Sequence, residues 1–121
     1  MRVRSISASG TATLVLLALT TVTAQAATDV GWFYNDADHD AKARFRAYGE
    51  HIDLCKLNKA KVFVEYGVAG GSISRTYYDG DVDSCKDINW AAAEGKAIQI
   101  RVCEQKTWAP DDCSAWKYGT A

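Results

Sequence analysis

Positive charge is not in surplus in this chain: 14 Lys and Arg stand against 15 Asp and Glu. Binding nucleic acid without regard to sequence needs a positive surface to neutralise phosphates, so no nucleic-acid partner is expected. Histidine is almost absent, with only His39 and His51, both beside acidic residues. There is no G-x-S-x-G elbow, no H-E-x-x-H and no phosphate-binding glycine loop, which removes the common hydrolase, metalloprotease and nucleotide signatures. No C-x-x-C or histidine pair offers zinc its ligands. The sequence therefore predicts a non-enzyme, with no catalytic residue, no resident metal and no cofactor. Long apolar runs are missing too. The longest, over residues 12–19, is too short to span a bilayer, and no membrane partner is expected.

That short run has a different meaning at the N-terminus. Arg2 and Arg4 precede it and Ala24-Gln25-Ala26 follows it, the positive, apolar and small-residue segments of a secretory signal peptide. The expectation is a signal peptide over 1–26, a single mature domain over 27–121 and an extracellular destination. Losing Arg2 and Arg4 leaves 12 basic residues against 15 acidic ones, a formal charge of −3.

All four cysteines fall in the mature part: Cys55, Cys85, Cys103 and Cys113. So small a domain buries little core, and in an oxidising compartment four cysteines fit two disulfides. Three pairings are possible. Cys103 with Cys113 is favoured because the two lie close across a hairpin, which leaves Cys55 with Cys85. Loop-closure entropy gives these links about 3 and about 3.5 kcal/mol, comparable with the net stability of such a domain.

Strand periodicity is strongest in two places. In Ala41-Lys42-Ala43-Arg44-Phe45-Arg46-Ala47-Tyr48 the small and apolar residues occupy one face and three cations with Tyr48 the other. In Ala97-Ile98-Gln99-Ile100-Arg101-Val102-Cys103 the large apolar residues again recur every second position, after a turn at Glu94-Gly95-Lys96. Further strands are expected over 50–57, with Ile52 and Leu54 inward, and over 61–68, with Phe63 exposed. Gly70-Gly71 is read as a hairpin connection to an edge strand over 72–78. Cys85 is placed in an acidic loop over 79–86, a short strand follows at 87–90, and Ala91-Ala92-Ala93 is read as one helical turn. Cys113 opens a last alternating run over 114–118. About seven short strands with glycine and aspartate turns predict an all-β, immunoglobulin-like antiparallel β-sandwich.

Two acidic turns carry carboxylates at every second position, Asp36-Ala37-Asp38-His39-Asp40 and Asp79-Gly80-Asp81-Val82-Asp83. The first begins like a calcium loop, but Ala41 and Ala47 stand where that loop needs glycine and glutamate. Both are read as solvated turns.

The residues left for function are aromatic. Trp32, Phe33 and Tyr34 lie in an N-terminal segment, 27–36, which reads either as an edge strand packed on the sandwich or as an extended arm that docks into a partner, and Trp108 lies in the loop between the last two cysteines. Adjacent aromatics in an extended chain point to opposite sides, so a partner is invoked to cover them. These four are the candidate partner-binding residues.

The run Glu94-Gly95-Lys96-Ala97-Ile98-Gln99-Ile100-Arg101-Val102-Cys103, then Asp112-Cys113-Ser114-Ala115-Trp116, together with Phe45, Gly49 and Cys55, resembles the small secreted β-sandwich proteins of actinomycetes. The resemblance implies a scaffold used for binding. Some secreted proteins of this build are adaptor subunits of umbrella-shaped antibacterial toxin particles. The expected partner is thus another secreted protein within a hetero-oligomeric particle. Two alternatives stand beside it: an inhibitor of an extracellular hydrolase acting through the loop 104–112, and a carbohydrate-binding module.

Overall fold

The computed structural model describes residues 26–121, so the segment read as a signal peptide lies, but for Ala26, outside the described residues. Nine strands follow in order: β1 (Val30–Tyr34), β2 (Ala41–Arg46), β3 (His51–Lys56), β4 (Val62–Val68), β5 (Ser74–Tyr78), β6 (Ser84–Asn89), β7 (Ala97–Glu104), β8 (Asp112–Cys113) and β9 (Lys117–Thr120). They form two antiparallel sheets, β1-β2-β3-β6 and β5-β4-β7, the second continued by β8 and β9, which both pair with β7. The protein is an all-β sandwich.

Its core follows from the alternation. Phe45, Ile52 and Leu54 of the first sheet meet Val62, Val64, Ile98, Ile100 and Val102 of the second, all fully buried. Trp90, just past β6, packs edge-on against Phe45 and Tyr66 at 6.1 and 5.1 Å between centroids. Its indole adds apolar area where the strands run out.

The two disulfides are Cys55–Cys85 and Cys103–Cys113, the favoured pairing. Each joins directly opposite residues of neighbouring strands, β3 with β6 and β7 with β8. An immunoglobulin disulfide instead crosses between the sheets. The connectivity is of the immunoglobulin kind: β6 lies beside β3 in one sheet and β7 beside β4 in the other, so that distant strands come to lie side by side. The two-layer, immunoglobulin-like architecture is as expected, and the departure from it is that each disulfide lies within a sheet.

Several local expectations are corrected. The arm is not free, and the edge-strand alternative holds: residues 30–34 pair with β2. A bulge between Val30 and Phe33 shifts the side-chain phase, so that both point into the core although three residues apart. Phe63 is buried, 1% exposed, because the outer face of a central strand is covered by long neighbours: the Arg75 guanidinium lies 4.4 Å above its ring and Tyr77 packs beside it at 5.1 Å. Cys85 sits on β6 and not in a loop. Residues 91–93 form no helical turn. The connection from β4 to β5 spans 69–73, with the Gly71 amide donating to the Val68 carbonyl at 2.8 Å and Gly70 at φ +80°, a conformation glycine adopts without steric cost. The run 114–118 is split, β9 beginning only at Lys117. Hence nine strands replace about seven.

The two sheets also touch along one side. Thr28 and Thr120 exchange backbone hydrogen bonds of 3.0 and 3.1 Å, linking the start of the first sheet to the end of the second. Gly119 permits this, since a Cβ there would stand 2.8 Å from the Thr28 carbonyl oxygen.

Candidate functional site

The sequence-chosen aromatics separate into two groups. Phe33 is core, 8% exposed, and is withdrawn as a partner contact, because the bulge turns it inward. Trp32 faces out, 41% exposed, with Lys42 Nζ and the Arg44 guanidinium 4.4 and 4.5 Å from its ring centroid. Tyr34 packs on the His39 ring at 5.2 Å. Tyr34 and His39 line an open cavity of about 250 Å³ with Asn35, Asp36, Ser114 and Lys117.

Trp108 is different. It is 96% exposed, on the loop 105–111 whose two ends are held together by the Cys103–Cys113 link. Three further bonds pin the loop base. The Gln105 amide donates to the Lys61 carbonyl at 2.9 Å, the Lys106 amide to Asp111 at 3.0 Å, and Lys106 Nζ to Asp38 at 2.6 Å. Tyr48, 95% exposed in the turn after β2, is a second open aromatic that the periodicity reading had placed only on an outer face.

Below this loop lies an acidic corner that sequence reasoning missed. Asn35, fully buried, ties the first acidic turn to β8: its amide donates to Asp112 Oδ2 at 2.6 Å while its carbonyl oxygen accepts from the Ala41 amide at 2.9 Å. The Ala37 and Asp38 amides also donate to Asp112, at 3.1 and 3.3 Å to Oδ2. This brings Asp38 beside Glu104 at the end of β7. Lys106 Nζ stands 2.6 Å from Asp38 and 3.2 Å from Glu104 Oε1. The Lys106 bond holds the Asp38 carboxyl below its ordinary range, and Asp38, then Glu104, raise the lysine. Glu104 responds oppositely. Burial, and then the adjacent Asp40 carboxyl, push it up to about 7 against the pull of Lys106.

The second acidic turn is exposed, as expected, and one of its carboxylates is paired. Asp79 receives a 2.7 Å bond from the buried Lys56, which lowers its pKa.

The outer faces of both sheets are ion-pair lattices. On the first, Asp53 accepts from Arg44 at 2.7 Å and from Arg46 at 2.9 and 3.1 Å, and His51 Nδ1 meets Asp87 at 2.9 Å. Two cations of the β2 stripe, Arg44 and Arg46, are thus paired within their own sheet, and the third, Lys42, lies over Trp32. On the second, Glu65 is clamped between Arg75, at 2.9 and 2.5 Å, and Arg101, at 2.6 Å. The Arg101 guanidinium also lies 4.7 Å from the Trp116 ring centroid. Burial opposes ionisation of both carboxylates, yet the arginine hydrogen bonds outweigh it and hold them below the usual carboxylate range.

The class defined by this geometry is a small disulfide-bonded β-sandwich with ion pairs on both outer faces and two aromatics, Trp108 and Tyr48, left open. Two disulfides, with no free cysteine among the described residues, are consistent with an oxidising, extracellular setting. No family model, no curated protein and no solved structure matches the chain.

Proposed function

We propose that the protein is a non-enzymatic, secreted protein-binding module whose contact is the loop 105–111, with Trp108 as its anchor. The observation that carries this reading is an indole 96% exposed on a loop closed by a disulfide. Tryptophan is enriched among residues that dominate interface energetics when they fill a pocket. A loop already ordered in the free state loses less conformational freedom on binding. Of the other outward aromatics, Trp32 and Tyr34 are partly occupied by their own neighbours, and Tyr48, 95% exposed, stands on a turn that neither disulfide closes; these are secondary contacts in this scheme. The partner is another secreted protein, and the adaptor role implied by the actinomycete resemblance is the form in which the module joins a larger antibacterial particle.

The test is recovery of a C-terminally tagged copy from its own culture medium, with companions identified by mass spectrometry. Trp108→Ala is expected to lose the companions while changing the melting temperature by less than about 2 °C, as for a surface substitution. Companions retained at full yield by Trp108→Ala overturn the reading. A second reading draws on the same preorganised loop, namely inhibition of an extracellular hydrolase whose cleft takes the indole. A monomeric native mass together with inhibition of a secreted protease or amylase would favour it.

A further inference from the structure

From the corner where the β1–β2 turn meets the end of β7, we infer a binding site for a hard divalent cation of the calcium class, built on Asp38, Glu104 and Asp112. One carboxylate oxygen from each of the three lies within 4.8 Å of the others. A cation at their centre stands about 2.8 Å or less from each, close to the roughly 2.3–2.6 Å of calcium–oxygen bonds. All donors are oxygens, the set that calcium and magnesium take and softer metals do not prefer.

Acidic clusters are common on surfaces, and here a buried atom separates this one from an ordinary solvated patch. Glu104 is 95% buried by exposure of only 5%, and its Oε1 accepts no hydrogen bond from the described residues. That atom faces the cluster, since the ammonium 3.2 Å from it is the one that sits 2.6 Å from Asp38. Lys106 makes a charge contact there without the alignment of a hydrogen bond. A buried oxygen left in this state is costly unless something charged completes its shell. A single ammonium therefore holds the place of a cation among Asp38, Glu104 and Asp112, with Asp40 adjoining.

The remaining geometry suits metal entry. Asp112 is oriented by donors on its Oδ2 side, and its Oδ1 accepts only from the Ala37 amide, at 3.2 Å, which leaves a lone pair directed elsewhere. Lys106 is a long side chain, one-third exposed, and it swings to solvent without disturbing the strands. The incomplete twelve-residue motif is no obstacle: the ligand that motif would take from its own end is supplied by β7, across the fold.

The full-length protein, stripped with EDTA, is titrated with calcium chloride by calorimetry and melted with and without calcium. The expected result is one ion per chain and a melting temperature raised by roughly 10 °C at a hundredfold excess over the dissociation constant. Asp38→Asn and Glu104→Gln should each remove the response. Lys106→Met, which takes away the competing ammonium, should tighten binding by about tenfold. Where Glu104→Gln fails to fold, the more exposed Asp38→Asn carries the test. No heat and no shift in the natural sequence overturns the inference. So does unchanged affinity in both Asp38→Asn and Glu104→Gln, which would put the ion elsewhere, for example at residues 79–83.

Discussion

Glu65 and Glu104 are the same residue type, buried almost equally at 6% and 5% exposure, and they ionise in opposite directions. Glu65 lies mid-sheet with an arginine from each neighbouring strand bonded to it, and its pKa falls. Glu104 lies at the end of β7 beside another carboxyl and one shared lysine, and its pKa rises to about 7. Burial is thus nearly constant between the two sites, and the count and sign of partners decide the outcome. The middle of each sheet is electrostatically complete, and the corner beneath the Trp108 loop is not.

The largest effect should come from breaking the complete site. Glu65→Ala leaves Arg75 and Arg101 facing each other without their acceptor, and is expected to cost about 3 kcal/mol, measured by urea denaturation. A loss below about 1 kcal/mol would mean that the solvent-exposed ends of the arginines already satisfy them, and the contrast would fail.

Next is the pH dependence, where the two glutamates should act with opposite signs. The folded pKa of Glu104 lies above its ordinary 4.5. Its stabilising contribution is complete below that value and is lost as pH rises toward and past about 7. Glu65, with its pKa lowered, contributes above its ordinary value, and that contribution disappears as pH falls through the folded one. Glu104→Gln should therefore flatten the decline in stability between the ordinary 4.5 and about 7, by about 2 kcal/mol at the upper end. Glu65→Gln should leave that limb alone and lower stability at neutral pH. Denaturation series at several pH values without added calcium separate the two, and parallel curves for both variants would refute the comparison.

The smallest effect belongs to the outer face of β2. Lys42→Ala removes one of two cations over Trp32 and should cost about 0.5 kcal/mol, while raising indole accessibility to a fluorescence quencher. Unchanged quenching would show that Arg44 alone covers the ring.

How much of this was legible depended on whether the contacts were local. In 41–46 and 97–103 the alternation of apolar and polar residues maps directly onto inward and outward positions, and both strands were readable from that pattern alone. The Cys103–Cys113 link was readable because the two residues face each other across adjacent strands close in sequence. The β1 phase was not readable, since a bulge adds a residue without any marker in Gly31-Trp32. Phe63 was misplaced because period-two reasoning assigns faces and cannot say what lies over them. The acidic corner was hidden for the same kind of reason: Asp38 and Lys106 are 68 positions apart, and Asn35 and Asp112 are 77. Trp108 was found by sequence, and its freedom is the one feature of the candidate contact set that the fold left as read.

By itself the sequence determined that this is an all-β domain held by two disulfides, because strand alternation and cysteine spacing are short-range properties of the chain. Which aromatics remain open, which carboxylates are neutralised and which are left short of charge were decided only by the tertiary structure. Those outcomes depend on which strands come to lie side by side, and pairing between distant strands brings together groups whose interaction exists only after the sheets have formed.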